Sequence, residues 1–193
     1  MKKYILLMIM SLCAITMVSA QEVNEKQLTK KERKAIEKRN REIKDSLAHL
    51  DALAALQDGN YVLMADRIMI KSHAFMNPAP NTNFVLVQGD KAVIQLASNN
   101  GRAGLNGMGG ITVEGYINGL KCDTNKKGET SYKFGVSGPA LSAQVHIVLY
   151  KEDNQAMAIV SPNYWSGNLT VYGKIFPYKK NEYDKAIQGN SFT

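Results

Sequence analysis

The sequence predicts a mainly β fold: an antiparallel β-sandwich or barrel of about eight strands, preceded by one long N-terminal α-helix. Three observations carry this. The hydrophobic period changes from helical to two after Gly59. The connections between alternating segments are short, as in Gln88-Gly89-Asp90, Asn125-Lys126-Lys127-Gly128 and Glu152-Asp153-Asn154. None could hold a crossover helix, which excludes parallel βαβ units. Finally, no Gly or Pro interrupts the run from Thr29 to Asp58.

The chain opens on a secretory signal. Lys2 and Lys3 supply a positive start, Tyr4 to Val18 an apolar run, and Val18-Ser19-Ala20 small residues at the cleavage point, making Gln21 the expected first mature residue. An uncleaved anchor is the alternative. The apolar run of about 15 residues is short against the roughly 20 that span a bilayer, and Gln21-Glu22-Val23-Asn24 is a mild sequel. A lipoprotein signal wants a small residue before its cysteine, whereas Leu12 precedes Cys13. The expected location is the periplasm or the secreted fraction, with no integral membrane span after cleavage. The expected division is a signal peptide over 1–20, a charged helix over 21–58, an antiparallel β domain over 59–180 and a tail over 181–193.

The helix carries its own start and stop. Thr29-Lys30-Lys31-Glu32 fits a capping box, in which threonine and glutamate each satisfy an orphan amide. Opposite charges fall four apart at Arg33/Glu37, Glu37/Arg41, Lys38/Glu42 and Arg41/Asp45. Gly59 supplies a stop. Apolar residues are sparse up to Lys44 and dense from Leu47 to Leu56, which predicts that the second half docks on the β domain. Ile36, Ile43 and Leu50 form a heptad stripe with Leu47 and Ala54, but Asn40 and Gln57 break it.

Eight strands follow, at about 61–70, 84–88, 91–97, 111–117, 130–137, 143–150, 155–161 and 168–176. Alternation is clear in several. Ala143, Val145, Ile147 and Leu149 share one face against Gln144, His146 and Tyr150. Ile111, Val113 and Ile117 oppose Thr112, Glu114 and Tyr116, and Leu169, Val171 and Ile175 oppose Thr170, Tyr172 and Lys174. Such strands suit a sheet with one wet face. Two stretches read as long loops: the Pro/Asn-rich 72–83, and 98–110 with five of the fifteen glycines.

Charge and cysteine narrow the function. The formal net charge is +7, but two of those charges leave with the signal, residues 21–58 add +1, and the remaining +4 is diffuse. No basic block stands out, so nucleic acid is not an expected partner. Cys122 alone survives cleavage, so no internal disulfide can form. It reads as an incidental thiol.

Few residues point to chemistry. Gly104, Gly107, Gly109 and Gly110, in a candidate ligand loop that also holds Asn106, resemble a phosphate-cradling loop, but no Gly-Lys-Ser/Thr ends it and a strand rather than a helix follows. Backbone geometry is the better reading, a ligand loop the lesser. His49, His73 and His146 share no metal-ligand spacing. Glu114 is a lone acid or base on its strand. Tyr164 and Trp165 sit in the turn Pro162 to Gly167, where paired aromatics plug a sandwich end or stack on a ligand. No catalytic residue, cofactor or metal site is expected.

The chain resembles the secreted bacterial proteins grouped as domain of unknown function 4251, found mainly among Bacteroidetes. The resemblance rests on Val62 to Arg67, Asn77-Pro78 with Asn83-Phe84, Lys91 to Leu96, Asn106 to Gly115 and Tyr172 to Ile175. The run Asn-Gly-x-Gly-Gly-Ile-Thr-x-Glu-Gly is the most specific part. The family carries no established activity, so no catalytic role is carried over, and the resemblance implies a Gram-negative envelope setting.

The leading expectation is therefore a non-enzymatic, exported binding or interaction domain, whose partner is a small apolar ligand or an envelope protein. A lipocalin-like carrier is one version. An envelope accessory protein docking through helix 29–58 is the second. An enzyme is the third, resting on Glu114, Tyr116 and His146 sharing a polar face.

Overall fold

The structure, a computed structural model, describes residues 29–69, 75, 76, 78, 82–97, 111–164 and 167–178. The chain divides into two compact units, Met1–Lys44 and Asp45–Thr193. The expected signal and tail lie outside the described residues.

Helix α1 spans Lys30–Asp58. Its start is the capping box that the sequence predicts. The Thr29 amide donates to Glu32 Oε2 at 2.8 Å, and the Glu32 amide donates to Thr29 Oγ1 at 3.3 Å. The Thr29 hydroxyl also donates to Glu32 Oε2, at 2.8 Å, and the amide bond first, then the hydroxyl bond, holds the Glu32 pKa below its usual range. Two of the four expected ion pairs close, Arg41–Glu37 at 3.6 Å and Lys38–Glu42 at 3.7 Å. Both are exposed, and each is worth a few tenths of a kcal/mol.

The second unit holds the last turns of α1 and nine strands: β1 (Asn60–Met69), β2 (Phe75–Met76), β3 (Phe84–Gln88), β4 (Lys91–Leu96), β5 (Ile111–Thr124), β6 (Thr130–Ser137), β7 (Ser142–Leu149), β8 (Gln155–Pro162) and β9 (Leu169–Pro177). Every pairing is antiparallel. From β3 to β9 each strand pairs with the next, and β1 pairs with both β3 and β9. That last pairing closes a barrel of eight strands, leaving β2 as a short addition beside the end of β1. Of the two expected architectures, the barrel is the one formed.

Inward side chains fill the barrel. Leu63, Ile94, Phe134, Ile147, Leu149 and Ile175 are all buried within one cluster that runs around the interior. An eight-stranded barrel is about the width that side chains can fill. Ala52, Ala55 and Leu56 of α1 join the same cluster, and His49 Nδ1 lies 3.0 Å from the Asp153 carbonyl oxygen in the β7–β8 turn. The end of α1 therefore seals the barrel where the β3–β4, β5–β6 and β7–β8 turns lie.

Three expectations need correction. The dense second half of α1 docks, but not through its leucine stripe: Leu47 is 57% and Leu50 56% exposed. At about 100° per residue, the face of Ala52, Ala55 and Leu56 turns that stripe to solvent. Secondly, β5 runs to Thr124 rather than ending near residue 117, and β2 lies inside a stretch read as loop. The added part of β5 is exposed on both faces, so no alternation marks it. Thirdly, β1, β3 and β4 do not have one wet face. Val62, Phe84, Leu86 and Val93 point outward yet form a second buried cluster, with Met64, Phe176 and Tyr178 packed against it. The unbroken run Phe84-Val85-Leu86-Val87 is the sequence sign of two-sided burial.

Candidate functional site

A groove forms on the outer surface where β5 changes partners. Residues Ile111 to Tyr116 pair with β4, whereas Tyr116 to Thr124 pair with β6. At the exchange the end of β6 passes over β5 in backbone contact. A Cβ on Gly115 would collide with the Ser137 carbonyl, and one on Gly138 with the Glu114 carbonyl. Only glycines allow that approach. The resulting groove has a volume of about 510 Å³ and is lined by Lys91, Glu114, Gly115, Tyr116, Ser137, Gly138 and Pro139.

Its chemistry is mixed. Tyr116 is 59% exposed, and Lys91 Nζ lies 5.7 Å from its ring centroid, within reach of a cation–π contact. Lys91 and Tyr116 are directly opposed across the β4–β5 ladder. Glu114 lies two residues before Tyr116 on the same face, about 7 Å away by strand geometry. The groove thus offers an aromatic plane, an ammonium and a carboxylate around a glycine floor. Its volume falls in the range of small-ligand sites, about 300–1,000 Å³.

Of the residues singled out in the sequence, Glu114 and Tyr116 line this groove. Asn106, Gly107, Gly109, Gly110 and Trp165 lie outside the described residues, as does His73. Tyr164 is 43% exposed, so it does not plug the barrel end, although partial burial raises its phenol pKa. The three polar groups of the enzyme reading do not converge. Tyr116 pairs with Ser137, which pairs with Ser142 on β7, and His146 is four residues further on. That places His146 about 13 Å along the sheet and two strand spacings across from Tyr116.

His146 has partners of its own. Its Nε2 lies 3.0 Å from Ser131 Oγ. Desolvation, and then the charge of Lys133, depress its pKa. Among the described residues no three His, Cys, Asp or Glu side chains gather to hold a metal ion.

Two features escaped sequence reasoning. Arg67 sits between Phe75 and Tyr172, its guanidinium carbon 4.9 Å and 5.4 Å from their ring centroids. Phe75 belongs to β2, and nothing local in a Pro/Asn-rich stretch pairs it with Arg67. The second is Asn83, whose Oδ1 accepts from the Ala97 amide at 2.6 Å, while its Nδ2 is buried with no hydrogen-bond partner among the described residues.

Comparison with known proteins places the chain. The family described as Domain of unknown function (DUF4251) matches residues 43–175. A crystal structure of a DUF4251 family protein from Bacteroides eggerthii is similar at 34% identity and a TM-score of 0.65, over 77% of this chain and 97% of that one. No curated protein matches.

Proposed function

This chain belongs to the DUF4251 family, and on that premise we propose that it works as an exported binding domain of the cell envelope, taking a polar ligand with one flat apolar face in the groove over Gly115 and Gly138. The observation that carries the reading is the groove itself, with Tyr116 exposed beside Lys91 and Glu114. A tyrosine joins an apolar ring face to a polar tip, which suits it to stack on a ligand that the neighbouring charges also hold. The filled barrel interior favours this outer site over a carrier cavity between the strands. Export rests on the leader-like first twenty residues.

The test is native mass spectrometry of the protein purified from its own cells. The expected result is a co-purifying species that is lost in Tyr116→Ala and in Glu114→Gln while both variants melt as the parent does. A bound species that survives both substitutions would place the site elsewhere.

A second reading has its own observation. Ile36, Ile43, Leu47 and Leu50 of α1 are all exposed, as a helix that docks an envelope protein requires. Loss of a co-purifying protein on changing Leu47 and Leu50 to Gln, with the groove ligand retained, would favour it.

A further inference from the structure

Among the described residues, nothing pairs with the outer edge of β5 over residues 118–124. Their β6 side is paired except at the bulge of Gly119 and Leu120, with Asn118 opposite Gly135, Lys121 opposite Lys133, Cys122 opposite Tyr132, Asp123 opposite Ser131 and Thr124 opposite Thr130. On the other side, β4 begins at Lys91, opposite Tyr116. The bond from the Ile117 amide to the Asp90 carbonyl, at 2.7 Å, is the last on that side. All seven residues are exposed, and Leu120 is 59% exposed. A row of unsatisfied backbone groups beside an apolar side chain is a template for another strand.

The direction of those groups follows from the turn. The Asn125 amide donates to the Glu129 carbonyl at 3.0 Å, so residue 125 addresses β6. Alternation then turns the amides and carbonyls of Thr124, Cys122 and Leu120 away from β6. Between Asn118 and Lys121 the register shifts by a bulge, with Gly119 at φ +63°. This keeps Leu120, Cys122 and Thr124 in one outward series.

We propose that a second copy of this chain pairs antiparallel with this edge, on a twofold axis through Cys122. An antiparallel strand meeting itself must place its axis on a residue, so the choices are few. An axis on Lys121 sets the two Lys121 side chains face to face, and one on Asp123 does the same with two aspartates. Both are repulsive. The axis on Cys122 sets each Lys121 against the partner copy's aspartate at position 123, and each Leu120 against a threonine. It also opposes the two Cys122 backbones with their amides and carbonyls facing each other. Hydrogen-bond direction requires an axis on a residue, charge complementarity selects Cys122 over Lys121 and Asp123, and the occupant is another copy.

The experiment is sedimentation of the full chain across a wide concentration range, with charge swaps in the edge. The expected result is a concentration-dependent dimer. Lys121→Glu, which turns two attractions into two repulsions, should weaken it about tenfold. The double variant Lys121→Glu with Asp123→Lys should restore it to within about threefold. Circular dichroism checks that each variant folds. A short bifunctional maleimide, read by peptide mass mapping, should join Cys122 to Cys122 in the parent and far less in Lys121→Glu. A protein that stays monomeric overturns the proposal. So does a dimer indifferent to Lys121→Glu, or one that the double variant fails to restore.

Discussion

His49 of α1 and Asp153 of the β7–β8 turn are joined by one contact, imidazole Nδ1 to carbonyl oxygen at 3.0 Å. They lie 104 residues apart in sequence, and the contact lies beside the docked face formed by Ala52, Ala55 and Leu56. It shows which side of an amphipathic helix was chosen when two apolar stripes were available.

That choice is testable by two leucines. Leu56→Ala should cost about 2–5 kcal/mol, because it opens a cavity in the barrel core. Leu50→Ala should stay within about 0.5 kcal/mol, because Leu50 is solvent-exposed. Urea unfolding of both variants decides, and equal losses would mean that the leucine stripe is the docked face.

The truncation series follows the same logic. A chain starting at Asp45 keeps the whole docked face and should melt with the parent. A chain starting at Gly59 uncovers the sealed end of the barrel and should aggregate. Light scattering and thermal melts compare the two, and a stable, monomeric Gly59 variant would show that the end of α1 is dispensable.

Gly115→Ala and Gly138→Ala should each destabilise by about 1–3 kcal/mol or more, because the added methyl meets backbone that cannot swing away. Gly135→Ala is the control, since its nearest neighbours are the flexible ends of Asn118 and Gln144. Denaturant midpoints should fall in that order of severity. A Gly115→Ala variant as stable as the parent would mean that the strand crossing is looser than the groove requires.

The pH dependence is set in part by His146. Burial and Lys133 lower its pKa in the folded state, so on acidification the unfolded chain takes up the proton first. Stability contributed by neutral His146 is present above the usual histidine pKa, about 6.5, and is lost as pH falls from there through the folded value. Melting temperature should therefore drop on acidification through this window, and the drop should shrink in His146→Gln. Lys133→Gln should shrink it less, because the lysine charge is the smaller of the two causes. An unchanged pH profile in His146→Gln would remove this group from the account.

At the start of α1, the Glu32 carboxylate is held below its usual pKa by the amide and hydroxyl of Thr29. The cap is therefore intact above the ordinary glutamate pKa and is lost as pH falls through the depressed folded value. Relative to its intrinsic rate at each pH, hydrogen exchange of the first-turn amides should speed up on acidification in the parent. It should already be fast at neutral pH in Thr29→Ala. Slow exchange in Thr29→Ala would mean that the capping box does not protect the turn.

What the sequence determined by itself was what depends on near neighbours. The capping box at Thr29 and Glu32 needs four consecutive residues. The strands from Ile111, Ser142, Gln155 and Leu169 announce themselves because alternate side chains meet opposite solvents, and short connections force them antiparallel. Of the groove, Glu114 and Tyr116 were legible, as neighbours on one polar strand face. The rest was decided by contacts between distant segments. Closure into a barrel is the pairing of β1 with β9, more than a hundred residues apart, and no local pattern encodes it. The groove needs Gly115 and Gly138 to meet across two strands, and it gains Lys91 only through the β4–β5 register. Residues 118–124 fell outside the strand read at 111–117 because strand identity there comes from backbone bonds to β6, not from burying a face. Periodicity reports burial, and where a strand is exposed on both sides only the tertiary hydrogen-bond ladder shows that it is a strand.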